Sequence, residues 1–197
     1  MVRKTRDRFI EVARQLFARK GVENTTMNDI ASASDKGRRT IYTYFKSKRE
    51  IFNAVIESET DQLLQRLIDI GNRDDSPEQK LKEYLACRFE TMKEIVRRNG
   101  SLRAGFFRDV RKVDRARKVV SDKEMKILEG ILREGVELGR FHIQDISNTA
   151  VVITMCLHGI DVPYIQDGLR EHGLDKYRLI DSLSKLILDG ITHDSSC

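Results

Sequence analysis

Arg38, Arg39, Thr40, Tyr42 and Tyr44 crowd two guanidiniums, a hydroxyl and two phenols into seven residues. An arginine fork can bond guanine bidentately, and a threonine can bond a phosphate or meet a thymine methyl. A phenol can donate to a phosphate. On a helix, positions 38 and 42 lie one turn apart, as do 40 and 44, while Ile41 and Phe45 mark a buried side. This arrangement predicts a surface for nucleic acid. Two members have another reading: Arg39 as a solvated side chain and Tyr44 as half-buried packing under the preceding helix. A second cluster, Cys156, His158 and Asp161, does not make a triad. Residues two apart on a helix point to opposite sides, so Cys156 and His158 are no nucleophile-base pair. His158 and Asp161 are three apart and can touch, as a structural pair or at a metal or ligand. No Gly-rich phosphate loop, HExxH or Ser elbow is present. No enzyme, catalytic residue, metal or cofactor is therefore expected.

The elements around the first cluster can be read from caps and breaks. Thr26 precedes Asp29 by three residues, the spacing of a capping box, and Ile30-Ala31 give the short helix after it a buried side. Ser34, Asp35, Lys36 and Gly37 are turn-competent. Gly37 can take a positive φ or let backbone come close to a partner. Ser47 and Glu50 repeat the capping-box spacing and start another helix. Helix, tight turn and short basic helix form the helix-turn-helix pattern, whose second helix enters the major groove. Behind it, Phe9, Ile10, Val12, Ala13, Leu16 and Phe17 give residues 3–20 one apolar stripe, and Gly21 stands at the C′ position. Arg3, Lys4 and Arg6 oppose the helix dipole, either as phosphate contacts or as a solvated end.

At these residues the chain resembles the TetR family of bacterial repressors. The resemblance lies in Thr25-Thr26, Asp29-Ile30-Ala31, Thr40-Ile41-Tyr42, Tyr44-Phe45-Lys46 and Lys48. It covers about the first quarter of the chain. The family usually has Gly-Val-Ser in the turn, and this chain has Asp35-Lys36-Gly37. The resemblance implies that Thr40, Tyr42 and Lys48 contact the DNA backbone and that Gly37 allows close approach. With Thr26, Arg38, Arg39, Tyr44 and Lys46, these are the candidate DNA-binding residues. It also implies an inducer pocket in the helical body. Candidate lining residues are Phe89, Met92, Phe106, Phe107, Met125, Met155 and His158, whose alternative is plain core.

Charge placement agrees with a reading head on a neutral body. Residues 1–50 hold 13 Lys/Arg against 6 Asp/Glu, and the remainder holds 23 against 25. A basic module suggests an anionic polymer as partner. The alternative is a solvated basic surface. Two prolines and no Trp in 197 residues argue for an all-α fold of about nine helices. Beyond the head these are predicted over 48–72, 77–98, 102–113, 114–139, from 145 onward, and 174–191. Residues 1–48 form the DNA-binding domain, a three-helix bundle. Residues 49–197 are expected, as the resemblance implies, to form a helical ligand-binding and dimerisation domain, with the helix from 48 shared by both as a stiff lever. The eighth helix is apolar all round over Ala150 to Leu157, which predicts burial on every side. Pro163 is expected to kink or interrupt it. With the ninth helix it suggests a four-helix interface with a second copy, which the resembled family forms; completing the monomer core is the alternative.

Three scattered cysteines fit a reducing cytosol. The N-terminus lacks a signal-peptide apolar region. The longest apolar run is far below the ~20 residues that span a bilayer. A cytoplasmic, ligand-released homodimeric repressor on a near-palindromic operator is the expectation, with an unknown small apolar or amphipathic inducer. The alternative is a ligand-binding or interaction protein whose basic head does not read DNA specifically.

Overall fold

The computed structural model describes residues 2–98 and 110–192. Among these it is all-α, with eight α-helices, one 3-10 turn and no strand. In order they are α1 (Val2–Lys20), α2 (Met27–Ala33), α3 (Arg38–Tyr44), α4 (Lys48–Gly71), α5 (Pro77–Arg98), α6 (Val110–Glu137), α7 (Ile146–Ile165), the 3-10 turn Gly168–His172, and α8 (Lys176–Ile191). Helices α1, α4 and α5 match the spans predicted for them, 3–20, 48–72 and 77–98, to within one residue. Of the predicted helix over 102–113, residues 102–109 lie outside the described residues, and Val110 to Val113 belong to α6. No Gly or Pro interrupts the sequence between Val110 and Glu129, so nothing there stops a helix.

The described residues divide into two compact units, one of Met1–Gln62 with Glu94–Lys118 and the other of Leu63–Lys93 with Val119–Cys197. In the first, the stripe Phe9, Ile10, Ala13, Leu16 and Phe17 of α1 packs with Ile30 and Ala31 of α2, Ile41 and Phe45 at α3, and Ile51, Ala54 and Val55 of α4. Burying each such large side chain stabilises the unit by about 1.5–3 kcal/mol.

The helix ends carry the polar bonds. Asp29 N–H donates to Thr26 Oγ1 at 3.1 Å, and Thr26 N–H donates to Asp29 Oδ2 at 2.8 Å, so the capping box is complete. Lys20 Nζ adds a 2.8 Å bond to the same carboxylate. The second box is shifted. Glu50 N–H reaches Ser47 Oγ at 3.3 Å, but the Glu50 carboxylate accepts from Lys46 N–H, one residue before the cap, at 2.7 Å. Gly21 takes φ +86° after α1, which only glycine adopts without strain.

The second unit is organised around a buried charge. Arg88 of α5 is fully buried. It donates to both oxygens of Asp161 on α7, at 2.7 and 2.9 Å, and its Nε lies 3.1 Å from Glu124 on α6. Burial opposes its charge, and the carboxylates of Glu124 and Asp161 more than offset that, raising its pKa. Tyr84 donates to the Glu124 carbonyl at 3.2 Å. Lys80 on α5 bonds both carboxylate oxygens of Glu134 on α6 at 2.7 Å.

Beyond α6, Gly139 takes φ +66° and the chain turns so that Phe141 lies over Gly135. An isolated antiparallel bridge then joins Phe141 to Thr192 after α8.

α7 corrects two expectations. It is not buried on every side: Ala150, Ile153, Leu157 and Tyr164 face inward, but Val152 and Met155 are exposed. A helix on the surface of a single chain can bury only one stripe. Pro163 does not interrupt it: it sits in the last turn, where its missing N–H forfeits one i→i−4 bond and only two residues of the helix follow. By length and composition α7 is also the one helix among the described residues long and apolar enough to cross a membrane. Its Asp161 is paired to Arg88.

Three substitutions test this account. A Cβ on Gly135 would lie 2.0 Å from the Phe141 ring. Gly135→Ala, which elsewhere in a helix stabilises, should here cost about 1–3 kcal/mol by urea unfolding. Arg88→Ala should cost about 3–5 kcal/mol, since it strands buried carboxylates. Asp29 is held at about 2, below its ordinary 3.8, first by Lys20 and then by the Thr26 amide and hydroxyl. Its contribution is present above the ordinary value and is lost as pH falls toward about 2. Asp29→Asn should lower stability near neutral pH and make the acid-side decline shallower in circular-dichroism titrations.

Candidate nucleic-acid interface

The apolar and polar sides of α3 are cleanly separated. Ile41 is fully buried, and Phe45 just after the helix is buried too. Their anchoring turns Arg38, Arg39 and Tyr42 to solvent, with Tyr42 43% exposed. The Arg38 guanidinium lies 5.8 Å from the centroid of the Tyr42 ring, one helical turn on, a cation–π spacing. Thr40 is half-buried, and its carbonyl accepts from Thr43 Oγ1 at 2.6 Å. Lys46 is exposed. Arg6 of α1 stacks over the Phe45 ring at 5.3 Å, which adds a cation beside α3.

Three expected contacts have other duties. Lys48 does not extend toward solvent: its ammonium donates to the carbonyls of Val22 and Glu23, at 2.7 and 3.1 Å. Those oxygens lie past the end of α1 and need donors, so Lys48 ties α4 to the α1–α2 loop. Tyr44 packs on Phe9 of α1, ring centroids 5.7 Å apart. Thr26 is exposed and spends its hydroxyl on the α2 cap.

The turn differs from expectation in one residue. Gly37 has an ordinary φ of −69° and is the N-cap of α3, without a side-chain bond. The left-handed residue is Asp35, at φ 54°. A side chain at 37 would meet nothing within 4 Å, so Gly37 leaves open space before the first turn of α3.

The described body candidates differ in burial. Phe89 is fully buried against Tyr164, centroids 5.2 Å apart. Met92 and Met125 are half-buried. Phe106 and Phe107 lie outside the described residues. Met155, expected in a pocket lining, is instead 69% exposed on α7. His158 and Asp161 do not pair with each other: His158 Nε2 lies 3.2 Å from Glu124 Oε2, while Asp161 takes Arg88. Cys156 is exposed. Among the described residues, no group of three or more His, Cys, Asp and Glu could hold a metal.

Sequence reasoning missed Arg8, Arg88 and Glu124. Arg88 carried a signal: it is a charge flanked by the apolar positions Leu85 and Phe89 on the inward stripe of α5. Arg8 carried none, since its partners Ser34 and Asp35 are 26 and 27 residues away.

Comparison with known proteins places the first unit. Residues 9–55 match the model for bacterial regulatory proteins of the tetR family. The probable acrEF/envCD operon repressor of Escherichia coli (strain K12) is 35% identical over 102 residues, covering 51% of this chain and 46% of that protein. The chain spans about half the length of the curated relatives of this kind that it matches. A solved transcriptional regulator of the TetR/AcrR family from Thermobifida fusca superposes with a TM-score of 0.67 at 25% identity, over 94% of this chain and 97% of that one. The SmeT–triclosan complex superposes at 0.72 with 19% identity, over 98% and 93%, a likeness of fold. Residues 9–55 therefore carry the N-terminal domain of bacterial regulatory proteins of the tetR family, and the chain as a whole shares the all-α fold of a solved TetR/AcrR regulator.

Proposed function

We propose that the protein is a sequence-specific DNA-binding repressor that leaves its operator when a small apolar or amphipathic ligand binds its body. The observation that carries the reading is α3 itself. Buried Ile41 and Phe45 fix the helix, and Arg38, Arg39 and Tyr42 are left facing solvent next to the open space at Gly37. In this reading Arg38 and Arg39 read base edges in the major groove. Thr40, Tyr42 and Lys46 meet phosphates. Residues 1–48 act as the DNA-binding domain and 49–197 as the ligand-binding and dimerisation domain.

A second copy fits the outer face of the last two helices. Val152 and Met155 on α7 and Tyr177 and Leu186 on α8 are large apolar side chains left exposed. Such a face in a regulator is an expected homodimer contact. A twofold dimer places two α3 helices on a near-palindromic operator. The triclosan complex of a protein of this fold supports a small apolar molecule as the class of inducer. A ligand that reverses the DNA-bound population must favour the released state by about 5.5 kcal/mol. The protein is read as a cytoplasmic regulator without catalytic activity.

The test is binding to the DNA upstream of the protein's own gene, against a scrambled duplex of equal length, at two salt concentrations. Tight binding to the upstream DNA alone, falling steeply with salt, is expected. Arg38→Ala should then remove about 1–3 kcal/mol of discrimination at one base pair, and Tyr42→Ala should weaken all sequences alike. Equal weak binding to both duplexes at either salt would overturn the reading for this DNA.

A further inference from the structure

The α2–α3 turn ends α2 in the manner usual for glycine, but with an aspartate. Asp35 N–H bonds the Ser32 carbonyl at 3.1 Å, and Lys36 N–H bonds the Ala31 carbonyl at 3.0 Å. These two bonds are the Schellman motif, whose C′ residue is left-handed. Asp35 fills that position at φ 54°. An aspartate tolerates this conformation better than most residues but less well than glycine. It also places a carboxylate, 83% exposed, three residues before the start of α3.

Arg8 of α1 addresses both the strain and the charge. Its Nη2 donates to Asp35 Oδ2 at 2.8 Å, and its Nε donates to the Ser34 carbonyl at 3.1 Å. One planar guanidinium therefore bonds two successive residues of the turn. Lysine carries all its donors on one nitrogen and lacks the fixed, spaced donors of the planar guanidinium.

We propose that Arg8 is a positioning residue for DNA reading, holding the left-handed Asp35 turn in place and cancelling its carboxylate where α3 would meet the phosphate backbone. The proposal rests on the DNA-binding reading above. It makes the value of Arg8 conditional on position 35. Asp35→Gly removes both the strain and the charge, and Arg8 then has little left to do.

The experiment uses four full-length proteins: wild type, Arg8→Ala, Asp35→Gly and the double variant. Each is measured for melting temperature, for exchange of the Lys36 amide without DNA, and for affinity toward the upstream DNA and the scrambled duplex. An exposed pair of this kind corresponds to a change of about fivefold. Arg8→Ala should weaken upstream binding by about that factor, speed Lys36 exchange similarly and leave melting nearly unchanged. In the Asp35→Gly background the same substitution should change neither quantity. An equal loss in both backgrounds would overturn the proposal, because Arg8 would then act without Asp35. No loss in either background would overturn it too. Equal binding of both duplexes by the wild type would overturn the DNA reading itself, and the Lys36 exchange cycle, made without DNA, would show separately whether the clamp exists.

Discussion

A guanidinium taken wholly out of water must meet counter-charge, and the second unit is arranged to satisfy that demand at Arg88. Asp161 takes it bidentately and Glu124 stands beside it, so one side chain ties α5 to both α6 and α7. Apolar stripes alone tolerate sliding by a turn with modest loss. A two-point bond between planar groups does not, since a shift of a few ångströms breaks both contacts. Around this point Leu85, Phe89, Leu128 and Leu157 close the core. His158 joins from the half-exposed side through Glu124.

The first unit solves a similar problem with its bonds on the outside. Its core is mostly apolar, with Thr25, Ser34 and Glu59 buried among the apolar side chains, and several charges sit over the helix ends: Lys48 on two loop carbonyls, Lys20 on the Asp29 cap, Arg8 on the turn. These bonds are individually weak because water competes for them. They fall where the backbone would otherwise leave donors and acceptors unpaired, which is where an exposed charge is of most use. What they leave uncommitted is the outer side of α3, and that is where a functional surface can be.

The local elements were legible because their signals are local. Thr26 and Asp29 and the apolar stripe of α1 each act within a few residues, and the helices they mark match the structure closely. The outward placement of Arg38 and Tyr42 followed from Ile41 and Phe45 by helical geometry alone. The role of Lys48 did not, since it depends on where Val22 and Glu23 fall in space. Nor did the pairings of Arg88 and His158, which reach 73 and 34 residues along the chain. The left-handed Asp35 was hidden by Gly37, the residue whose type suggested the conformation. The apolar run of α7 was read correctly as composition, but which half faced inward depends on the helices beside it.

The reach of these contacts also sets an order in time. Arg8 to Asp35, the longest hydrogen-bonded side-chain pair described in the head, spans 27 residues, whereas Arg88 to Asp161 spans 73. Short closures form sooner and cost less chain entropy. On a ribosome, which releases residues from the N-terminus, the reading head can finish before Asp161 has been made. Until then Arg88 has no bidentate partner and stays in water, so the body waits on its seventh helix while the head is already folded.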